Sequence, residues 1–256
     1  MSSELRIVNV DASNVDREGF FCYKSKQKTP GYSRKLAWSK NRFSEGMKLD
    51  ILYDGKRSFG FIEYIPGEYS WRAVYAPDYT VIHCIWMVGS GKGKGFASQL
   101  LEGCIEVARK EGRAGVVMVT SNRPFLAGPK LFLKHGFTQV DSAPPHFQLM
   151  ALKLRDAPNP YFPVDWDKRL EALGSGLTVV RTDQCPYWDE ATDITVETAR
   201  TCGIRCRVVE FTSATEAREK SPTPFGTFGI VEDGQLLGYH YLSPKELAPL
   251  LGGQAT

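Results

Sequence analysis

No apolar run in this 256-residue chain approaches the roughly 20 residues a membrane-spanning helix needs, and the opening Met-Ser-Ser-Glu-Leu-Arg holds no apolar leader. A soluble, cytoplasmic protein with no membrane partner is therefore expected. Paired cysteines are missing as well. Cys22, Cys84, Cys104, Cys185, Cys202 and Cys206 lie scattered without a Cys-x-x-Cys, which argues against a zinc ribbon or a disulfide scaffold and for reduced thiols. Cys202 and Cys206 have no second His/Cys pair nearby, so no metal is expected.

Two nucleotide-binding signatures also fail, although the chain has a glycine-rich turn where each could stand. Five residues after Gly89 comes Lys94 and five after Gly91 comes Phe96, so no register gives a Walker A loop. The dinucleotide pattern Gly-x-Gly-x-x-Gly needs a glycine at Lys94 or at Phe96 and meets none.

What the chain does hold is enough apolar material, 42% of its residues, to fill real cores, and a divided charge. Residues 1–155 carry 23 Lys and Arg against 14 Asp and Glu, whereas residues 156–256 carry 9 against 15. The first part suits an anionic ligand. Lys24, Lys26, Lys28, Arg34, Lys35, Lys40 and Arg42, interleaved with Tyr23, Tyr32 and Trp38, read as a solvated helical face at an acceptor entrance rather than as a nucleic-acid surface.

The richest segment is Val81–Arg109: an apolar run VIHCIWMV, the turn GSGKGKG, then the amphipathic FASQLLEGCIEVAR. It reads as strand, phosphate-cradling turn and helix. Glycines let the turn backbone approach a ligand and aim several N–H groups at one point, and the positive end of the helix favours an anion there.

Lys92-Gly93-Lys94-Gly95-Phe96-Ala97 resembles the acyl-CoA pyrophosphate loop of the GNAT acetyltransferases, Gln/Arg-x-x-Gly-x-Gly/Ala. It departs at Lys92, which keeps a charge without the planar fork of arginine. Further along, after the apolar Val116–Val119, Lys130-Leu-Phe-Leu-Lys-His-Gly-Phe137 resembles that family's second signature, Leu-Tyr-x-Lys-x-Gly-Phe. The resemblance implies a mixed α/β (α+β) sheet whose central strands splay apart, with the pantetheine arm of acetyl-CoA in the gap. It also implies a co-substrate site over Trp86, Met87, Val88, Lys92, Gly93, Lys94, Gly95, Phe96, Ala97 and Ser98, with Phe132 and Lys134 beside it.

In such enzymes the aromatic of the second signature is commonly a tyrosine that reprotonates the departing thiolate. Phe132 has no proton to give, which leaves Tyr64, Tyr75 or water as donor. The family's general base, a glutamate on the preceding strand, falls near Cys84 and next to His83. His83 is chemically suited because an imidazole titrates near neutral pH. Glu63, in the alternating strand Phe59–Tyr64, is a second candidate.

From Asp156 three prolines in DAPNPYFPVDW read as a linker, 156–175, between a first domain (1–155) and a second (176–256). The remainder reads as strand 177–181, helix 187–201, strand 205–210, a short helix from Ala214, strands 226–231 and 235–241 around the hairpin signal Asp233-Gly234, and helix 244–250. This βαβαββα order resembles a thioredoxin-like domain. Cys185-Pro-Tyr-Trp188 stands where a redox Cys-x-x-Cys would open the first helix, and Thr223-Pro224 where such domains place a cis-proline. Trp188 replaces the second cysteine, so Cys185 is at most a single reactive thiol.

The two parts together resemble the YoaP-type acetyltransferases. That resemblance implies transfer of acetyl from acetyl-CoA to a small-molecule or peptide amine, with acceptor contacts from residues 22–52, Tyr64–Glu68, Trp71 and Arg72. A weakly catalytic acyl-CoA-binding or regulatory protein, and a thiol-redox protein acting through Cys185, are the competing expectations.

Overall fold

The computed structural model describes residues 5–91 and 93–252. In chain order the elements are β1 (Leu5–Val10), α1 (Val15–Glu18), α2 (Pro30–Phe43), β2 (Lys48–Asp54), β3 (Arg57–Pro66), β4 (Tyr79–Met87), α3 (Phe96–Lys110), β5 (Gly115–Thr120), α4 (Lys130–Lys134), β6 (Thr138–Ala143) and β7 (Phe147–Lys153). They continue as α5 (Trp166–Glu171), β8 (Leu177–Arg181), α6 (Tyr187–Thr201), β9 (Cys206–Glu210), α7 (Ala214–Lys220), β10 (Phe228–Glu232), β11 (Gln235–Gly238) and α8 (Pro244–Leu250). Single turns of 3₁₀ helix occupy Gly67–Tyr69 and Gly89–Gly91.

The backbone divides into two compact units. The first comprises the described residues of 1–27, 36–70 and 74–162, and the second those of 28–35, 71–73 and 163–256. Among the described residues no helix is long and apolar enough to cross a membrane, and no group of three or more His, Cys, Asp or Glu could hold a metal ion.

The first unit is built on a seven-stranded sheet in the order β1-β2-β3-β4-β5-β7-β6. Only β4 and β5 run parallel; every other neighbouring pair is antiparallel. Helix α3 follows from its sequence. Phe96, Leu100, Leu101, Cys104, Ile105 and Ala108 recur at helical spacing and are buried. Arg109 and Lys110 sit at the negative end, and Gly112, with φ +69°, ends the helix. Its apolar stripe packs on Leu52, Ile62, Tyr64, Ile82, Ile85, Val116, Met118 and Met150 of the sheet. Truncating one such leucine to alanine costs about 2–5 kcal/mol. Cys104, in this core, is held far above the ordinary thiol range, first by burial.

In the second unit the sheet order is β11-β10-β8-β9, with β8 and β9 parallel and the others antiparallel. The element order βαβαββα matches the reading of the sequence, and β8, α6 and α8 begin and end where expected. Strand β11 is shorter than the expected 235–241. Its last pair, Ile230 opposite Gly238, forms beyond a register shift at Ile230/Val231, and Gly238 lies against Leu242.

Candidate active site

The site in the first unit starts from a bulge. β3 and β4 pair with Glu63 opposite Cys84 and Tyr64 opposite Ile82, which makes His83 an extra residue on β4. Ile82 and Ile85 both pack into the cluster against α3. In a regular strand, residues three apart face opposite ways, so the insertion is what brings these two to one face. It leaves the consecutive His83 and Cys84 on the other face, where the His83 ring lies 6.1 Å from the ring of Trp38 in α2.

There His83 Nδ1 stands 3.2 Å from Glu63 Oε1, with the side chains 0% and 2% exposed. A buried imidazole beside a buried carboxylate is a proton-holding pair, since each keeps the other's ionised form from being isolated in a low dielectric. The three residues expected to carry the chemistry, Glu63, His83 and Cys84, therefore share one patch, with Cys84 half-buried.

The second feature is the separation of β4 from β5. Their parallel ladder runs from Tyr79 opposite Gly115 to Ile82 opposite Met118 and ends there, although β4 continues to Met87 and β5 to Thr120. Beyond that point β5 pairs on its far side with β7, up to Thr120 opposite Gln148. A wedge thus opens beside His83–Met87. Trp86 on its rim is 51% exposed, whereas Met87 is buried and packs against α3.

The wedge leads to the glycine turn. Val88 N–H donates to Phe59 O, and Gly91 N–H to Val88 O, each at 2.9 Å. Gly93 and Gly95 both have φ +78°, and a side-chain carbon at either would meet nothing within 4 Å. Backbone conformation, not crowding, demands glycine here. Gly95 caps α3 without a side-chain bond, so the first-turn amides of Phe96, Ala97 and Ser98 have no acceptor within the helix and stand at its positive end.

Lys94 Nζ lies 5.5 Å from the Phe59 ring centre and 5.8 Å from that of Phe96. Arg57, which the sequence reading passed over, holds its guanidinium 5.2 Å from the same Phe59 ring. Two cations thus flank the turn. Lys92 lies outside the described residues.

On α4, Phe132 is fully buried and meets Phe137 edge-on at 5.4 Å, while Lys134 is exposed. Ser98 is bonded to His135, 2.9 Å between Oγ and Nε2. His135 was also missed, although it sits inside the second signature. Of the proposed substitute acids, Tyr64 donates its hydroxyl to Asp50 Oδ2 at 2.9 Å. Burial, and next the charge of Asp50, raise its pKa far above the ordinary phenol range. The Asp50 carboxyl is itself pushed up by burial, against hydrogen bonds from Asn9 and Tyr64. Tyr75 stacks on Tyr161 at 5.1 Å.

The expected acceptor face needs correction. Trp71 and Arg72 are buried in the second unit, where Arg72 Nη1 donates to Phe225 O at 2.5 Å and Ala73 N–H to Pro224 O at 3.3 Å. The run from Lys24 to Arg42 is not one solvated face either. Lys35 is buried, and Arg34 lies within ion-pair reach of Asp183, Asp189 and Glu210.

In the second unit Cys185 is half-buried at the start of α6, and its turn is closely covered. A methyl added to Gly31 would overlap the Pro186 carbonyl, and one added to Gly226 would overlap that of Trp71. Trp188 is 2% exposed and stacks on Phe228 at 4.7 Å, so the residue in place of a second cysteine is core. Around this turn Arg181 bonds Asp183 and Asp189, each at 2.9 Å. Burial works against its charge, and the two carboxylates outweigh it and raise its pKa. The expected cis-proline is absent: the Thr223–Pro224 bond is trans, and the cis bond among the described residues lies at Pro144–Pro145. Gly226 N–H donates to Thr223 O at 3.1 Å, which makes Pro224 the second residue of a tight turn, a position that takes a trans proline.

Residues 15–137 match the acetyltransferase (GNAT) family. The chain is 31% identical over 250 residues to the uncharacterized N-acetyltransferase YoaP of Bacillus subtilis (strain 168), spanning 95% of this chain and 97% of that protein. Among solved structures it is similar to an N-acetyltransferase from Staphylococcus aureus Mu50, at 18% identity, 60% of this chain, 100% of that one and a TM-score of 0.43. It is likewise similar to yncA, a putative acetyltransferase from Salmonella typhimurium with its cofactor acetyl-CoA, at 18% identity, 61% and 99% coverage and a TM-score of 0.43.

Proposed function

The chain belongs to the GNAT family of acetyltransferases, and we propose that it moves an acetyl group from acetyl-CoA to a primary amine by direct attack. The observation that carries this reading is the wedge between β4 and β5 opening onto a glycine turn and the positive end of α3. An extended pantetheine arm fits a strand edge whose ladder has ended, as peptides do when they add to a sheet. The diphosphate fits the first-turn amides with Lys94 and Arg57 near them.

In the step itself the amine nitrogen bonds to the thioester carbonyl carbon and the carbon–sulfur bond breaks. The ammonium proton passes to His83, which Glu63 holds, and solvent protonates the thiolate because Phe132 cannot. Positioning of the two reactants supplies roughly 7–11 kcal/mol, against about 3–5 for one acid or base, so a chain without the tyrosine retains most of the rate. Residues 176–256 are read as a thioredoxin-like domain joined through 156–175 to an acetyltransferase domain, 1–155. The order βαβαββα and the sheet order β11-β10-β8-β9 support that reading. With Trp188 in the core and the Cys185 turn covered, its role is structural rather than redox.

The test is incubation with acetyl-CoA and a panel of amines and peptides, read by mass. Free CoA appearing with an acetylated product supports the reading. Binding of acetyl-CoA without any product means a sensor instead, and absence of binding at millimolar acetyl-CoA overturns the assignment.

A further inference from the structure

Ser98, Glu102 and His135 form a cluster next to the glycine turn. Ser98 is the third residue of α3, so its N–H belongs to the first-turn amides. Glu102 is four residues on and shares its helix face. His135 is the residue that ends α4: its N–H donates to Phe132 O at 2.9 Å, as does that of Phe137 at 3.1 Å, and Gly136 turns the chain with φ +82°. That reversal holds the imidazole against α3, its side chain 12% exposed. Nε2 lies 2.9 Å from Ser98 Oγ and Nδ1 3.7 Å from Glu102 Oε1.

We propose that His135 is a positioning residue for acyl-CoA: as an imidazolium paired with Glu102, it donates Nε2–H to Ser98 and turns the Ser98 hydroxyl proton toward the diphosphate. The proposal rests on the placement of acetyl-CoA given above. Its physical basis is the inventory of one hydroxyl. When Nε2 is an acceptor, the hydroxyl proton is spent on the imidazole and Ser98 presents only lone pairs to an anion. Once Nε2 carries a proton, Oγ accepts from it and its own hydrogen is released to donate outward. A bound phosphate thus favours a proton on Nε2, and with the Glu102 carboxylate beside Nδ1 that form is the imidazolium rather than the neutral Nε2–H tautomer, so that each favours the other, a reciprocal linkage. On its own helix Lys130 and Lys134 are exposed, on α3 the partner is Glu102, Lys94 stands in the turn before α3, and toward β7 Gly136 lies against Leu152.

The experiment measures binding of CoA and of dephospho-CoA, which lacks the separately titrating 3′-phosphate, from about pH 5.5 to about pH 8.5 by calorimetry. Wild type should lose roughly 5- to 10-fold in affinity for dephospho-CoA as the pH rises and should take up a proton on binding. His135→Gln keeps a donor amide but cannot titrate, so its affinity should not vary with pH, and Glu102→Gln, at an exposed side chain, should shift the profile to lower pH. Ser98→Ala should weaken binding several-fold, and adding His135→Gln to it should cost nothing more. If His135→Gln keeps the wild-type slope, or if the two losses add, His135 only packs and the proposal falls. If wild type binds neither ligand at any pH, the acetyl-CoA site is itself misplaced, a different outcome from a slope that survives the substitution.

Discussion

Two turns in this protein share one plan and differ in what covers them. In the first unit β4 runs through Gly89–Gly95 into α3, and in the second β8 runs through Thr182–Pro186 into α6; each helix is 15 residues long. Around the first turn, glycines at 89, 93 and 95 have open space where side chains would stand. Around the second, Gly31 is glycine because the Pro186 carbonyl leaves no room for anything larger. A helix start presents the same unsatisfied amides in both places. What distinguishes a ligand site from a scaffold is whether the chain leaves those amides open or closes over them.

Substitution where backbone packs directly on backbone in the second unit should give the largest effect on folding. Gly226→Val meets both a forbidden φ of +81° and the Trp71 carbonyl, so a loss above about 4 kcal/mol is expected in denaturant unfolding. An unchanged midpoint would mean that the close cover is not there. Next comes Trp188→Ala, which empties a stacked core position and should cost about 3–5 kcal/mol by the same measurement while leaving acetyl-CoA binding intact.

At the open turn the order of effects reverses. Gly95→Val should cost only about 1–2 kcal/mol of stability, for its positive φ, yet abolish the thermal shift that acetyl-CoA produces. Retained binding would put the diphosphate elsewhere. On the chemistry, Glu63→Gln should lower kcat by roughly 10²-fold or more with little change in KM for acetyl-CoA, and equal losses in both would assign the pair to binding.

The smallest effect is a pH one, in the second unit. Glu216 has a lowered carboxyl pKa, first through the Thr212 N–H and then through Lys220. A depressed pKa adds stability above the unfolded value, near 4.3, that is lost as pH falls through the folded value. Glu216→Gln should therefore flatten the acid limb of the unfolding curve and leave stability above about pH 6 unaltered in its pH dependence. A limb as steep as that of wild type would show that another carboxylate controls it.

Much of this was legible in local pattern. The strand, turn and helix of Val81–Arg109 could be read in one piece, as could β8, α6 and α8, because each is set by periodicity, glycine placement or capping within a few residues. The conjunction of Glu63, His83 and Cys84 was legible only as three candidates. Their meeting depends on a bulge, and a bulge exists only between two strands.

The same division holds for the molecule. Amino-acid order alone determined the strand, glycine turn and helix of residues 81–109, the βαβαββα order of residues 177–250, and that the second of these lacks a Cys-x-x-Cys, since these are properties of neighbours in the chain. Tertiary structure decided that residues 28–35 and 71–73 belong with the second unit, that Lys35 and Arg72 are buried, that Thr223–Pro224 is trans, and that His135 reaches Ser98. Those facts rest on contacts between residues far apart in sequence, and their energies exist only once the backbone has brought the partners together.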